Sequence, residues 1–115
     1  MRKLPELLHK NATRQLDDFC LRAASDKYQP RHLRYRIEGC RISLYEVRRH
    51  RDRPDQHKEL PMAQIRYTEE LNQWTLHHQR QDERWRIYLG ITPTLDFSQM
   101  LLAIQQDPMG YFWQE

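Results

Sequence analysis

Glycine and cysteine are scarce in this chain, with three and two residues in 115. None of the three glycines stands in a Gly-x-x-x-x-Gly-Lys or Gly-x-Ser-x-Gly setting. That leaves no backbone loop to cradle phosphates and no nucleophile elbow. Cys20 and Cys40 are isolated, outside any Cys-x-x-Cys spacing. They read as small buried hydrophobes in a reducing compartment rather than as a disulfide or metal ligands. Long apolar runs are missing too. The amino terminus, Met1-Arg-Lys-Leu-Pro-Glu-Leu-Leu8, lacks the core of a secretion signal, and no stretch of ~18 apolar residues is present to cross a bilayer. The expectation is a cytoplasmic protein with no membrane partner.

Mean hydropathy is low at −1.01, but three Trp, six Tyr and three Phe provide bulky core material, which argues against disorder. A chain of 115 residues is expected to form one domain, burying about 65% of the surface that its unfolded form exposes. Charge is distributed unevenly. Residues 1–60 carry 15 Lys and Arg against 9 Asp and Glu, whereas residues 61–115 carry 4 against 7. Arginine outnumbers lysine 15 to 4, and guanidinium suits bidentate recognition of phosphate or carboxylate.

Leu4, Leu8, Ala12, Leu16, Phe19 and Ala23 recur every three or four residues, which predicts an amphipathic helix over residues 5–24 with Pro5 in its first turn. Residues 31–90 read as strands. Leu33, Tyr35 and Ile37 alternate with Arg34, Arg36 and Glu38 up to a turn at Gly39. Ile42 and Leu44 then alternate with Arg41, Ser43 and Tyr45, and further strands are expected over 62–68, 74–78 and 84–89. In the last two, Trp74, Leu76, Trp85 and Ile87 are assigned to the core, with Leu89 on the same side, leaving His77, Arg84, Arg86 and Tyr88 on the outer face. Residues 48–61, almost without apolar content, are expected to be a mobile charged loop. Phe97, Met100, Leu101 and Ile104 mark a second helix over residues 95–107, capped by Thr94 or Asp96. The expected fold is α+β: an N-terminal helix, a five-stranded antiparallel meander sheet and a C-terminal helix in a two-layer sandwich, one domain over residues 1–115.

The segments Arg36-Ile-Glu-Gly39, Ser43-Leu-Tyr-Glu46, Ile65-Arg-Tyr67, Trp74-Thr-Leu76, Trp85-Arg-Ile-Tyr88 and Gln106-Asp-Pro-Met-Gly-Tyr-Phe-Trp113 occur in that order. Together, over residues 31–113, they resemble the bacterial family called domain of unknown function 3024. The resemblance implies a small bacterial cytoplasmic protein and transfers no catalytic or binding residue. His77-His78 stands where aromatic residues are expected in that family, and Gln114 where glycine is expected.

No catalytic residue, metal ligand or cofactor site is assigned. His77 and His78, adjacent on a strand, must point to opposite faces and cannot share one ion. Carboxylates such as Glu38, Glu46, Asp82 and Glu83 read equally well as solvated strand positions. Nucleic-acid binding has more support. The expected pairing places Arg34, Arg36, Arg41, Arg66 and Arg86 on one sheet face with Tyr45 and Tyr88, beside Arg48, Arg49 and Arg51 of the loop. Cations neutralise phosphates while rings stack on bases. The helix, strands, helix order is loosely that of a double-stranded-RNA-binding domain, but five strands instead of three, and an acidic start to the last helix, set it apart. The expectation is a small non-enzymatic accessory protein that binds nucleic acid weakly. The alternative is a module that docks a protein partner or a second copy on the same face.

Overall fold

The computed structural model describes residues 2–114. Helix α1 spans Glu6–Ala24 and buries Ala12, Leu16 and Phe19, the i, i+4, i+7 stripe seen in the sequence. It begins after Pro5, which takes the N-cap position, and Glu6 complements the positive end of the helix dipole. The chain then turns on Asp26, whose carboxylate accepts from the backbone N–H groups of Tyr28 and Gln29.

Five strands follow: β1 Leu33–Glu38, β2 Arg41–Arg49, β3 His57–Thr68, β4 Gln73–Gln79 and β5 Trp85–Ile87. They form one antiparallel sheet in the order β1-β2-β3-β4-β5, the expected meander. Helix α2, Phe97–Gln106, is capped by Asp96, whose Oδ1 accepts from Ser98 N–H at 3.0 Å. Both helices pack on one face of the sheet. Their Leu16, Phe19, Phe97, Met100 and Ile104 meet Leu33, Ile42, Leu44, Ile65, Trp74 and Leu76 in a single apolar cluster. The residues that alternate with these on the strands therefore form the opposite, helix-free face. Among the described residues, no helix is long and apolar enough to cross a membrane. Both cysteines are free thiols, and burial, then Asp17, pushes Cys20 up to about 11.

Two expectations need correction. The segment 48–61 is not one long loop: β2 continues to Arg49 and β3 begins at His57, with Arg48 opposite Lys58 and Arg49 opposite His57. Only residues 50–56 remain as a connection, closed by His50 N–H donating to Gln56 O at 3.0 Å. This ribbon projects beyond the helices, so neither of its faces is buried and no alternation of apolar residues marks it as strand. Within β3 the register shifts by one residue: Leu44 faces Ala63 but Tyr45 faces Pro61, leaving Met62 as the extra residue of a bulge. Pro61, without an N–H to donate, is tolerated at such a break in the ladder.

The second correction concerns β5. His78 pairs with Arg86 and His77 with Ile87, so Trp85 and Ile87 lie on the helix-free face while Arg86 and Tyr88 lie on the helix side. The expected assignment was off by one residue, which reverses every side chain. Tyr88 is 3% exposed and Leu89 89% exposed. What buries Tyr88 is the C-terminal tail: its ring contacts Phe112 at 5.1 Å and meets Tyr111 edge-on. Asp107, in the left-handed region at φ 39°, anchors that tail by accepting from the backbone N–H groups of Tyr111, Phe112 and Trp113. Trp113 Nε1–H donates to Ile104 O at 2.8 Å. The Gln106–Trp113 motif is thus a folded-back clasp over the sheet.

Candidate nucleic-acid interface

Cross-strand pairing lays out the helix-free face in rows. One row runs Glu38, Arg41, Arg66, Thr75; the next runs Arg36, Ser43, Gln64, His77, Ile87; a third begins Arg34, Tyr45, Pro61. Hydrogen bonds tie its centre together. Gln64 Nε2–H donates to Ser43 Oγ at 3.1 Å, Arg66 Nε–H donates to Gln64 Oε1 at 2.7 Å, and Thr75 Oγ1 and His77 Nε2 are 2.9 Å apart.

The structure brings Arg34, Arg36, Arg41, Arg66 and Tyr45 onto this face. Arg36 is already engaged, its Nη2–H donating to both Glu59 oxygens, at 2.9 and 3.0 Å, with its guanidinium 4.5 Å from the Tyr45 ring centroid. That cover buries Tyr45, so its ring is not displayed for stacking. Tyr88 is in the core, and Arg86, on the other side of the sheet, pairs with Asp82. Arg49 is exposed on the same face as Tyr45, at the end of the ribbon, and Arg51 lies in the 50–56 connection. Arg48 points to the helix side.

Arg41 and Arg66 are direct cross-strand partners. Among the described residues, no carboxylate lies within ion-pair distance of either, nor of Arg34 or Arg49. Like charges set opposite each other in a sheet are destabilising. Partial burial, then Arg41, lowers the Arg66 pKa. Both effects would be relieved by an anion placed between the two guanidiniums.

His77 shares this polar centre and is buried there, while its neighbour His78 turns to the helix side and stacks on Tyr111 at 4.5 Å. Burial, followed by Arg66, Arg41 and His78, holds His77 at about 4 instead of 6.5. Burial also lowers His78. A histidine in the unfolded chain titrates near 6.5. The unfolded chain therefore takes up more protons as pH drops below about 6.5, and stability falls until the folded ring titrates as well. The His77 signal in an NMR titration should have its midpoint near 4, and His77→Gln should reduce the loss of stability below about pH 6.5. A midpoint near 6.5 would mean that the ring is solvated in solution.

Sequence reasoning missed a cluster around Glu46. This carboxylate lies on the helix side between Arg31 and Arg48, each with a nitrogen 3.1 Å from Oε1. Both arginines also donate to the Gln114 carbonyl, and Arg31 lies 5.6 Å from the Trp113 ring. The signal was present: Glu46 follows Ile42 and Leu44 at core-facing spacing, and a carboxylate in that position calls for a cationic partner.

No curated protein and no solved structure matches the chain. A family model does, over residues 4–114, taking in α1 as well as the sheet, α2 and the clasp. This chain therefore belongs to the family described as a domain of unknown function (DUF3024).

Proposed function

We propose that this protein is a non-enzymatic accessory factor that binds nucleic acid weakly, without sequence preference, through the helix-free sheet face. The observation that carries this reading is the Arg41–Arg66 pair, held side by side with no carboxylate within 4 Å among the described residues, although Glu38 stands across the strands from Arg41. Arg34 extends the cationic surface along the same face. Contacts are to phosphate. Stacking of bases on Tyr45 and Tyr88 is not part of the mode, because one ring is covered by Arg36 and the other is buried. A second reading, a protein partner or second copy on this face, draws on Trp85 and Ile87, which stand at its β5 corner with Ile87 exposed.

Fluorescence anisotropy with single- and double-stranded probes at low salt separates the two. Duplex binding through ~4–6 phosphates should weaken with a log–log salt slope of about −0.9 per contact. Arg41→Glu with Arg66→Glu should abolish it while the circular dichroism spectrum is kept. No binding at low salt, together with a salt-insensitive dimer, would overturn this reading in favour of the second.

A further inference from the structure

A cleft of about 990 Å³ opens between the C-terminal end of α1, the connection 25–32 and the projecting β2–β3 ribbon. Its lining is strongly cationic. Arg31 and Arg48 form one wall and are held by Glu46, the only carboxylate among the described residues that line it. Arg34 and Arg49 also line it, with no acidic partner within 4 Å among the described residues, and His32 and His57 complete the lining. Arg49 and His57 are cross-strand partners, so the ribbon presents them together.

This arrangement differs from that of the open face. There the cations are spread along a flat sheet at strand spacing, roughly 5 Å apart across strands, which matches a line of singly charged phosphodiesters. The cleft instead follows the edge of β2 that runs past the start of β1, so both sheet faces contribute to its lining: Arg31 and Arg48 from the helix side, Arg34, Arg49 and His57 from the helix-free side. Cations gathered around one space are matched by one multiply charged group. A phosphate monoester has about −1.5 to −2 charge near pH 7, with three acceptor oxygens, where a diester has −1. Guanidinium forks are suited to those oxygens. Arg34 belongs to both surfaces and makes them continuous.

We propose that this cleft is a phosphate-monoester site that receives the terminal phosphate of a strand lying on the sheet face, an inference that rests on the nucleic-acid reading above. The chemistry is shared by a strand end and by a small phosphorylated molecule, and the experiment separates them. Labelled ten-residue oligonucleotides ending in 5′-phosphate or 5′-hydroxyl are compared by anisotropy, with adenosine 5′-monophosphate as competitor. The phosphorylated strand should bind about tenfold tighter, the increment of one added charge-assisted contact. Arg49→Gln with His57→Gln should bring the two strands to equal affinity. The mononucleotide should displace only the added increment, at concentrations far above the strand's own dissociation constant. A mononucleotide as tight as the phosphorylated strand would keep the monoester site and assign it to a small molecule. Equal binding of both strands to the unmodified protein would overturn the cleft site and leave the sheet-face reading standing. Binding of neither strand, nor of the mononucleotide, would overturn both.

Discussion

Replacing Trp74 with Ala is expected to cost about 3–5 kcal/mol of stability, the range for removing a large aromatic from a closed core. Trp74 is 1% exposed, with Tyr67 at 5.0 Å and Phe97 at 4.8 Å between ring centroids. Its backbone is also bridged to Thr94, donating to Thr94 O at 2.7 Å and accepting in return at 3.2 Å. The indole thus joins β4, β3 and the start of α2, and its loss would leave a cavity where three elements meet. Trp85→Ala should cost only about 1 kcal/mol, because that side chain is half-buried on the helix-free face and has fewer contacts to lose. Urea unfolding of the two variants measures the difference directly. Equal losses would show that β5 is registered as its alternation first implied, with Trp85 inward.

Glu46→Gln should destabilise the protein by about 3 kcal/mol, near the lower end of the range for breaking a buried ion pair. Side-chain exposure is 5% for Glu46 and 13% for Arg31, but 30% for Arg48, so one partner is still in contact with water. The substitution preserves shape and leaves two guanidiniums side by side without their carboxylate. Arg48→Gln added to Glu46→Gln should recover part of the loss, since it removes one of the two cations that Glu46 neutralises. Additive losses in that double-mutant cycle would contradict the cluster. Because Arg31 and Arg48 also hold the Gln114 carbonyl, faster amide exchange at the end of the chain should accompany the loss.

Much of the face proposed to bind was legible from alternation. Arg34, Arg36, Arg41, Arg66 and Tyr45 share it because each alternates with an apolar neighbour buried or half-buried on the helix side, and period-two patterning conveys that directly. Tyr88 and Arg86 were misplaced because Trp85, Ile87 and Leu89 form the more apolar parity of the segment, yet in the fold it is Tyr88 that is buried. In a three-residue edge strand the alternation is short, and the side that finds a cover is the one that is buried. Here the cover is the clasp of Tyr111 and Phe112, more than twenty residues further along the chain.

The sequence by itself determined the order of elements, the meander and both helix stripes, and narrowed the α2 cap to Thr94 or Asp96, because each depends on residues a few positions apart whose spacing is visible directly. Only the tertiary structure decided which arginines are left for a ligand. Arg36 with Glu59, Arg31 and Arg48 with Glu46, and the lone Arg41–Arg66 pair are separated in the chain by 15 residues or more, except for Arg48 and Glu46. Coulombic pairing acts through space and depends on distance and burial, which a linear pattern does not encode. The charge count is a property of the sequence, but the charge available for binding is a property of the fold.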